Sequence, residues 1–385
     1  MKKRARVIAF YLPQYYPVKE NDEMWGRGFT EWRNVAKAKP LFHGHYQPQL
    51  PADLGFYDLR IADVREEQAR LAKEAGIEGF CYWHYWFGNG RRILERPFNE
   101  VLKSGKPDFP FCLGWANHSW SNKTWQKMDR FQKDTVFIEQ LYPGIEDYKQ
   151  HFYAMLPAFK DARYISVENK PLFLIYAADQ LPNAKEFIDT WNDLAKRNGL
   201  NGFHFVARTA STGSLNPRVS KKKLFASVNE RYDALLSKGF DAISSSTLKQ
   251  ADIMTKGYYR KMINLLLSRK SMQLGVERYD YEKIIENLYY PEDKRIDVYP
   301  QLLPRWDKTP RKGRDAQIYY NSTPQAFKRS IQLALDTIKD KPEERKILFL
   351  FAWNEWGEGA YMEPDIKFGH GYLDALRSEI IGEEL

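Results

Sequence analysis

Short apolar runs alternate with amphipathic helical patterns along the whole chain. The helical patterns cover residues 63–75, 184–197 and 326–338, and the first two close beside Gly76 and Gly199, where glycine favours a helix end. Pro300 weakens the seventh apolar run as a strand. The apolar runs predict eight buried strands at 7–12, 79–83, 109–115, 171–176, 202–207, 239–244, 297–303 and 346–353.

Eight strands that alternate with helices predict an α/β fold, a (β/α)8 TIM barrel with long loops at the C-terminal face of the strands. Residues 1–385 are expected to form this single catalytic domain. A doubly wound open sheet is the alternative, but no G-x-G-x-x-G or G-x-x-x-x-G-K-[ST] phosphate loop follows any strand. Residues 21–51 and about 248–294 are expected to be insertions, the second between strands six and seven.

The second insertion contains a basic stretch, Ile253–Val276, with no acidic residue and an apolar patch at Met262–Leu267. A basic amphipathic helix can lie on anionic lipid, which would give peripheral contact with the inner membrane face. An ordinary helix packed on the barrel is the alternative. The basic residues are Lys256, Arg260, Lys261, Arg269 and Lys270.

Composition narrows the class of protein. The 385 residues are 43% hydrophobic, which excludes global disorder, and no apolar run is long enough to span a membrane. Two cysteines cannot form a disulfide framework, and the apolar run at 7–12 is too short for a signal peptide, so we expect a cytoplasmic protein. The net charge of +9 is mild for this length, and no nucleic-acid partner is expected.

The chain has 11 Trp and 24 Tyr, and ten of the Trp lie at or shortly after predicted strands, with only Trp191 inside a helix. In a (β/α)8 barrel the active site forms at the C-terminal ends of the strands. This distribution favours an aromatic-lined pocket, because such rings pair a flat apolar face with a polar edge that suits sugars. Simple core packing is the alternative for any single Trp.

The strongest candidates for chemistry follow strand eight. Glu355 and Glu358 lie three residues apart in a glycine-containing turn, flanked by Trp353, Asn354 and Trp356. Two carboxyls with unequal surroundings suit glycosidic chemistry, in which one donates a proton and the other stays ionised. Two solvated loop acids are the alternative.

Other strand ends supply side chains that can bind a sugar. No metal or other cofactor is expected, because Cys81 and His84 have no second pair of ligands, and the lack of G-x-S-x-G argues against a serine hydrolase. The candidate substrate-binding residues are Tyr15, Tyr16, Trp32, Asn34, Trp83, His84, Trp86, Trp115, Asn117, His118, Arg208, Trp306, Asp307, Asn354 and Trp356.

Several motifs together resemble known families. FYLPQYYP, GRGFTEWRNV, YWHYWF and WANHSW, all between residues 7 and 125, resemble the WbsX-like family of polysaccharide-biosynthesis glycosyltransferases. The closing segment FAWNEWGEGAYMEPD resembles both that family and glycoside hydrolase family 99, the endo-α-mannosidases and mannanases. The resemblance implies a (β/α)8 barrel with a metal-independent carbohydrate site.

The resemblance also implies roles for the two glutamates. Glu355 would act as base on the sugar 2-hydroxyl, whose oxygen attacks C1 to give a 1,2-anhydro intermediate, and Glu358 would serve as general acid and then base, with net retention. Tyr15, Tyr16, Trp83 and Trp86 match regions that line the sugar site. WbsX relatives usually read WANE after strand three, whereas this chain has His118, which puts a carboxylate role there in doubt.

The leading hypothesis is a retaining enzyme that acts on glycosidic bonds in polysaccharide or O-antigen-type glycan metabolism. It would be a glycosyltransferase or a glycoside hydrolase or transglycosylase, and its partner an oligosaccharide or polysaccharide, free or lipid-linked. A non-catalytic glycan-binding barrel is the alternative, against which the acid pair argues, since binding alone needs no such pair.

Overall fold

Eight parallel strands form a closed barrel. The structure is a computed structural model and describes residues 3–122, 135–212, 220–259, 262–263 and 276–381. Each strand pairs with its sequence neighbours, and β1 closes the ring by pairing with both β2 and β8. The strands are β1 (Arg6–Tyr11), β2 (Gly79–Trp86), β3 (Phe111–Trp115), β4 (Lys170–Ile175), β5 (His204–Ala210), β6 (Ala242–Ser246), β7 (Val298–Leu302) and β8 (Ile347–Leu350).

The prediction of a (β/α)8 barrel is therefore confirmed, with strand limits shifted by a few residues. The apolar runs identify the strands because parallel barrel strands are buried on both faces. β8 ends at Leu350, earlier than predicted, because Asn354–Glu355 pairs back with Ala360–Tyr361 as a short antiparallel ladder. The catalytic candidates thus lie on a small hairpin beyond β8.

Helices connect the strands and cover the barrel. Those predicted at 63–75, 184–197 and 326–338 are present as α3, α6 and α12. The helices are α1 (Lys19–Trp25), α2 (Glu31–Lys37), α3 (Ala62–Glu74), α4 (Arg96–Ser104), α5 (Ile145–Phe159), α6 (Ala184–Arg197), α7 (Lys221–Ala226), α8 (Val228–Leu236), α9 (Leu248–Lys256), α10 (Tyr281–Ile285), α11 (Thr309–Lys312), α12 (Pro324–Ile338) and α13 (Gly371–Ile380).

The basic stretch is not one continuous helix from Ile253. α9 ends at Lys256, and Gly257 follows with φ +87°, a conformation that ends a right-handed helix. Met262 is buried with Leu224 and Ile253 in a small apolar cluster that is separate from the main core. Arg260, Lys261, Arg269 and Lys270 lie outside the described residues.

The loops after β6 and β7 are joined by a small sheet. Glu277–Asp280 pairs in parallel with Gln317–Tyr320, which pairs antiparallel with Trp306–Asp307. The second insertion is thereby attached to the segment that follows β7, next to the C-terminal face of the barrel. Within the described ranges, no helix is long and apolar enough to cross a membrane.

Gly79, at the start of β2, lies where β2 packs against the segment before β3. An added Cβ would lie 2.3 Å from the carbonyl oxygen of Pro110 and 2.9 Å from Cδ1 of Ile165. We expect Gly79→Ala to lower the free energy of unfolding by about 1–3 kcal/mol, because backbone must move to admit the methyl group. Urea unfolding measures this, and an unchanged midpoint would contradict the close approach.

Candidate active site

A cavity of about 320 Å³ opens at the C-terminal ends of the barrel strands, and we call it the first cavity. Its lining draws on the ends of β2 and β3, on the hairpin beyond β8 and on α11. The position is the one at which (β/α)8 enzymes bind substrate. Side chains on its walls include Trp83, Tyr85, His118, Trp120, Tyr176, Arg311, Glu355 and Glu358.

The turn that carries the two glutamates is held to the loop after β1 by hydrogen bonds. Asn354 Oδ1 accepts from the backbone N–H of Leu12 at 2.8 Å, and its Nδ2 donates to the carbonyl of Leu12 at 3.0 Å. The hydroxyl of Tyr15 donates to the carbonyl of Asn354 at 2.5 Å and accepts from the N–H of Trp356 at 3.3 Å. Asn354 and Tyr15 therefore position the turn.

Glycines let other elements approach this turn closely. A Cβ on Gly357 would lie 2.3 Å from Oε2 of Glu31, and one on Gly359 would lie 2.8 Å from Cβ of Asp307. Gly359 also has φ +57°, in the left-handed region that disfavours larger residues. The turn is thus pressed against α2 on one side and the segment after β7 on the other.

Arg311 on α11 binds three carboxyls at once. Its Nη2 lies 2.6 Å from Oε1 of Glu31 and 2.6 Å from Oε1 of Glu355, and its Nη1 lies 2.9 Å from Oε1 of Glu358. Lys308 adds a second cation, with Nζ 3.2 Å from Oε1 of Glu358. Buried acids need such partners, because an unpaired charge in the interior is costly.

The surroundings give the two glutamates opposite pKa shifts. Burial raises the pKa of Glu355 from 4.5 to about 8, against the opposing effect of Arg311. Burial also acts on Glu358, but Lys308 and Arg311 outweigh it and lower the pKa of Glu358 to about 2. Burial likewise raises the pKa of Glu31. Near neutral pH, Glu355 is therefore protonated and Glu358 ionised.

The two pKa shifts make the free energy of unfolding depend on pH in opposite directions. The folded protein holds the Glu355 proton more tightly than the unfolded chain, whose glutamates titrate near 4.5. The contribution of Glu355 to the free energy of unfolding consequently falls as the pH rises from 4.5 to about 8. Glu358 behaves oppositely, and its contribution is lost as the pH falls from 4.5 to about 2.

The opposite wall of the first cavity is aromatic and cationic. The guanidinium of Arg208 lies 4.5 Å from the ring centroid of Tyr176, and the ring of His118 lies 5.0 Å from the same ring. Burial, reinforced by Arg208, lowers the pKa of His118 to about 4, so this imidazole is neutral at pH 7. The imidazole at this position therefore presents a neutral ring to the first cavity.

The structure brings together only part of the predicted site. Trp83, His118, Glu355 and Glu358 line the first cavity, and Arg208 stacks on its wall. Asn117 lies just below, where its side chain accepts from the N–H of Ala177 and donates to Tyr142. These are the predicted residues that lie in or next to the first cavity.

The first cavity is lined by aromatic side chains, but most of the tryptophans predicted to line it are core residues. Trp86 donates to Asp147 and stacks on His151, Trp115 donates to the carbonyl of Trp86, and both are fully buried. His84 is buried as well and hydrogen-bonds His151. Their distribution along the sequence reflects the strand ends, which carry both core and pocket side chains.

Other predicted residues support the site from behind. Trp32 packs on Tyr15 and Trp356, and Trp356 stacks on Tyr361 and donates to Glu363. Tyr16 accepts from the N–H of Arg96, and Asn34 is buried on α2. Neither Tyr16 nor Asn34 lines the first cavity.

Trp306 and Asp307 line a second cavity of about 770 Å³, which adjoins the first. Gly359 lines the second cavity, whereas its neighbour Glu358 lines the first. Trp306 also packs on Phe351, a residue of the first cavity, with ring centroids 5.5 Å apart. The two cavities therefore share a wall.

Sequence reasoning missed Arg311, Glu31 and Lys308 as site residues. No local motif marks Arg311 or Lys308, and Arg311 precedes Glu355 by 44 residues. One signal was present, since Glu31 lies inside the GRGFTEWRNV motif and Arg311 follows shortly after strand seven. Among the residues that the structure describes, no cluster of three or more His, Cys, Asp or Glu side chains could hold a metal ion.

We expect Arg311→Gln to lower the free energy of unfolding by about 3–5 kcal/mol near neutral pH, because it leaves buried carboxylates without their counter-charge. The loss should shrink as the pH falls, since the carboxyls then become neutral. Denaturant unfolding at several pH values measures this. Lys308→Gln is the matched control, because it removes a cation that pairs with only one of the three carboxyls, that of Glu358, and an equal loss in both variants would contradict the central role of Arg311.

The Glu355 proton should be directly visible. We expect an infrared carboxylic-acid band that disappears as the pH is raised through about 8 and that is absent from Glu355→Gln. Glu363 also contributes, because burial raises its pKa to about 7, so Glu363→Gln should remove a component at lower pH. A spectrum unchanged by Glu355→Gln would show that Glu355 is ionised in the folded protein.

Comparison with known proteins identifies a family. Residues 7–376 match the family described as Glycosyltransferase WbsX. Two relatives called "Uncharacterized protein WxcX", from Xanthomonas campestris pv. campestris strains B100 and ATCC 33913, are each 33% identical over 381 residues, covering 98% of this chain and 50% of the relative. The chain therefore spans about half the length of these curated relatives.

Solved structures share the fold. A "Glycoside hydrolase-like protein" superposes with a TM-score of 0.57 at 15% identity, covering 99% of this chain and 94% of the other. The GH99 endo-alpha-mannosidase from Bacteroides thetaiotaomicron gives a TM-score of 0.51 at 13% identity, with 98% and 96% covered. With the family match over nearly the whole length, the chain belongs to the WbsX glycosyltransferase family, and its (β/α)8 barrel is related in fold to GH99 enzymes.

Proposed function

We propose that the chain is a carbohydrate-active enzyme that breaks and re-forms glycosidic bonds with Glu355 and Glu358. The observation that carries this proposal is the pair itself: both carboxyls line the first cavity, contact the same guanidinium and differ in protonation near neutral pH. Glycosidic chemistry requires one proton donor and one carboxylate on the same sugar. A glycan-binding protein would have no need of this arrangement.

The two carboxyls can act together on the bond to C1. The protonated carboxyl gives its proton to the glycosidic oxygen as the C1–O bond breaks. The carboxylate takes the proton of the sugar 2-hydroxyl, and that oxygen closes on C1 with inversion. An acceptor hydroxyl then opens the 1,2-anhydro ring with a second inversion and returns the protons to their starting places, so that the configuration at C1 is retained.

The roles implied by the family resemblance put the proton on Glu358, whereas the charges of the free protein put it on Glu355. Lys308 and Arg311 both hold Glu358 in its ionised form. For Glu358 to act as acid, a bound sugar would have to shift the proton from Glu355. With one proton between them, the two glutamates can act under either assignment of roles. The pH range of activity then depends on the pair and not on one residue.

The acceptor is water in a hydrolase and a sugar hydroxyl in a transferase. The family description supports transfer, and the likeness of the barrel to GH99 enzymes supports the same chemistry at the bond. We propose polysaccharide or O-antigen-type glycans as the substrate class, free or lipid-linked, on the basis of the family.

Substitution of the pair tests the proposal. We expect Glu355→Gln and Glu358→Gln each to lower kcat/KM by about a hundredfold or more, because each removes a proton-transfer group. Wild type and variants are assayed on α-manno-oligosaccharides in water and with nucleotide-sugar donors, while sugar binding is followed by calorimetry. Binding with no turnover in wild type would instead favour a glycan-binding barrel, and unchanged turnover in either variant would contradict the two-carboxyl mechanism.

A substrate with an activated leaving group assigns the roles, because it needs little help from an acid. From the charges of the free protein we expect it to rescue Glu355→Gln and not Glu358→Gln. Rescue of Glu358→Gln would instead give the roles that the resemblance implies. Lys308→Gln serves as a comparison, since it leaves both carboxyls in place and frees Glu358 of one cation.

A further inference from the structure

The second cavity has the walls of a binding site. Seven Phe, Trp and Tyr side chains line it, and such faces pack against the apolar faces of sugar rings. It adjoins the first cavity at the turn that carries Glu358 and Gly359, so a chain of linked sugars that leaves the first cavity can continue into it. The aromatic residues are Phe42, Tyr46, Trp306, Tyr319, Tyr320, Phe368 and Tyr372.

Three buried donors in these walls have no hydrogen-bond partner among the described residues: Nε of Arg305, Nε1 of Trp306 and the hydroxyl of Tyr372. These residues are 5%, 6% and 1% exposed. One buried acceptor, Oε1 of Gln49, also has no hydrogen-bond partner among the described residues. Because a buried donor without a hydrogen-bond partner is destabilising, an excess of donors favours a ligand rich in acceptors.

Arg305 is rigidly placed for this purpose. Its guanidinium lies 3.9 Å from the ring centroids of both Tyr361 and Tyr372, between the two rings. It forms an ion pair with Asp365, so its charge is balanced behind the cavity wall. Nε is therefore fixed in position whether or not a ligand is bound.

Two further cations at the second cavity have no carboxylate partner among the described residues. Arg278 and Lys367 are exposed, lie 4.5 Å and 4.7 Å from the ring centroids of Phe42 and Tyr46, and form no ion pair within the described part of the chain. Asp307 is a carboxylate in the lining, and His45, Gln47 and the N–H of Thr309 donate to its two oxygens. The second cavity therefore has a positive surplus.

We propose that the second cavity binds an anionic sugar, one that carries a carboxylate or phosphoryl group. The aromatic rings hold the sugar face, the unpaired donors bind the anionic oxygens, and Arg278 and Lys367 attract the charge. The anion has two sources, an acidic unit within a glycan or the phosphoryl group of a sugar donor. The inference rests on the proposed function in taking the ligand to be a carbohydrate, but it needs no turnover.

Calorimetric binding to the full chain tests the proposal with three probes: a galacturonate trisaccharide, glucose 1-phosphate and neutral mannotriose. We expect at least one anionic probe to bind wild type more tightly than mannotriose does. Arg278→Gln with Lys367→Gln should weaken that binding roughly fivefold or more, since it removes two exposed charges. The matched control is Lys196→Gln with Arg197→Gln, exposed cations at the end of α6, which should bind as wild type.

Tyr372→Phe supplies a second test that spares the fold, because the hydroxyl it removes has no partner in the described structure. We expect roughly tenfold weaker anion binding, the value of one hydrogen bond to a charged group, with mannotriose binding unchanged. The anion that binds identifies the source. Binding of neither anion above mannotriose, or wild-type affinity in both cavity variants, would overturn the inference.

A failure of the second cavity to bind anions can be distinguished from a failure of the proposed function. Glu358→Gln removes turnover under that function but leaves the second cavity intact, so it should bind the anionic probe as wild type does. Loss of anion binding in this variant would place the anion in the first cavity, beside Arg311, and would contradict the inference.

Discussion

One guanidinium, that of Arg311, holds the candidate active site together. It is contributed by a short helix after β7, yet it contacts carboxyls from the loop after β1 and from both ends of the turn after β8. Buried carboxyls so close to one another would repel if all were ionised without a counter-charge. The position of each glutamate therefore depends on Arg311, and three separate loops of the barrel are tied to one point.

The barrel could be predicted from the sequence because the pattern that specifies each strand lies within a short stretch of residues. Each buried strand needs a run of apolar residues, and eight such runs separated by helical patterns leave few architectures. The end of β8 could not be placed in this way. Residues 347–353 are apolar throughout, but the strand stops at Leu350 because Asn354 and its neighbours form a hairpin, which contacts with Leu12 and Tyr15 hold in place.

Only those residues of the candidate site that lie close together in the sequence could be predicted. Glu355 and Glu358 are three residues apart, so a motif reveals them, and both line the first cavity. The tryptophans misled because a strand end points side chains alternately to the core and to the pocket, and composition does not separate Trp83 from Trp86. Glu31, Lys308 and Arg311 escaped notice because only folding brings them to the glutamates.

Charge balance explains why the site can hold a single proton. Three carboxyls, those of Glu31, Glu355 and Glu358, face two cations, Arg311 and Lys308. With one carboxyl protonated, the group is electrically neutral, and burial penalises any other count. Of the two carboxyls that line the first cavity, Glu358 has both Lys308 and Arg311 against it, so the proton lies on Glu355 rather than on Glu358. The scaffold thus sets the number of protons, and the position of one lysine keeps the proton off Glu358.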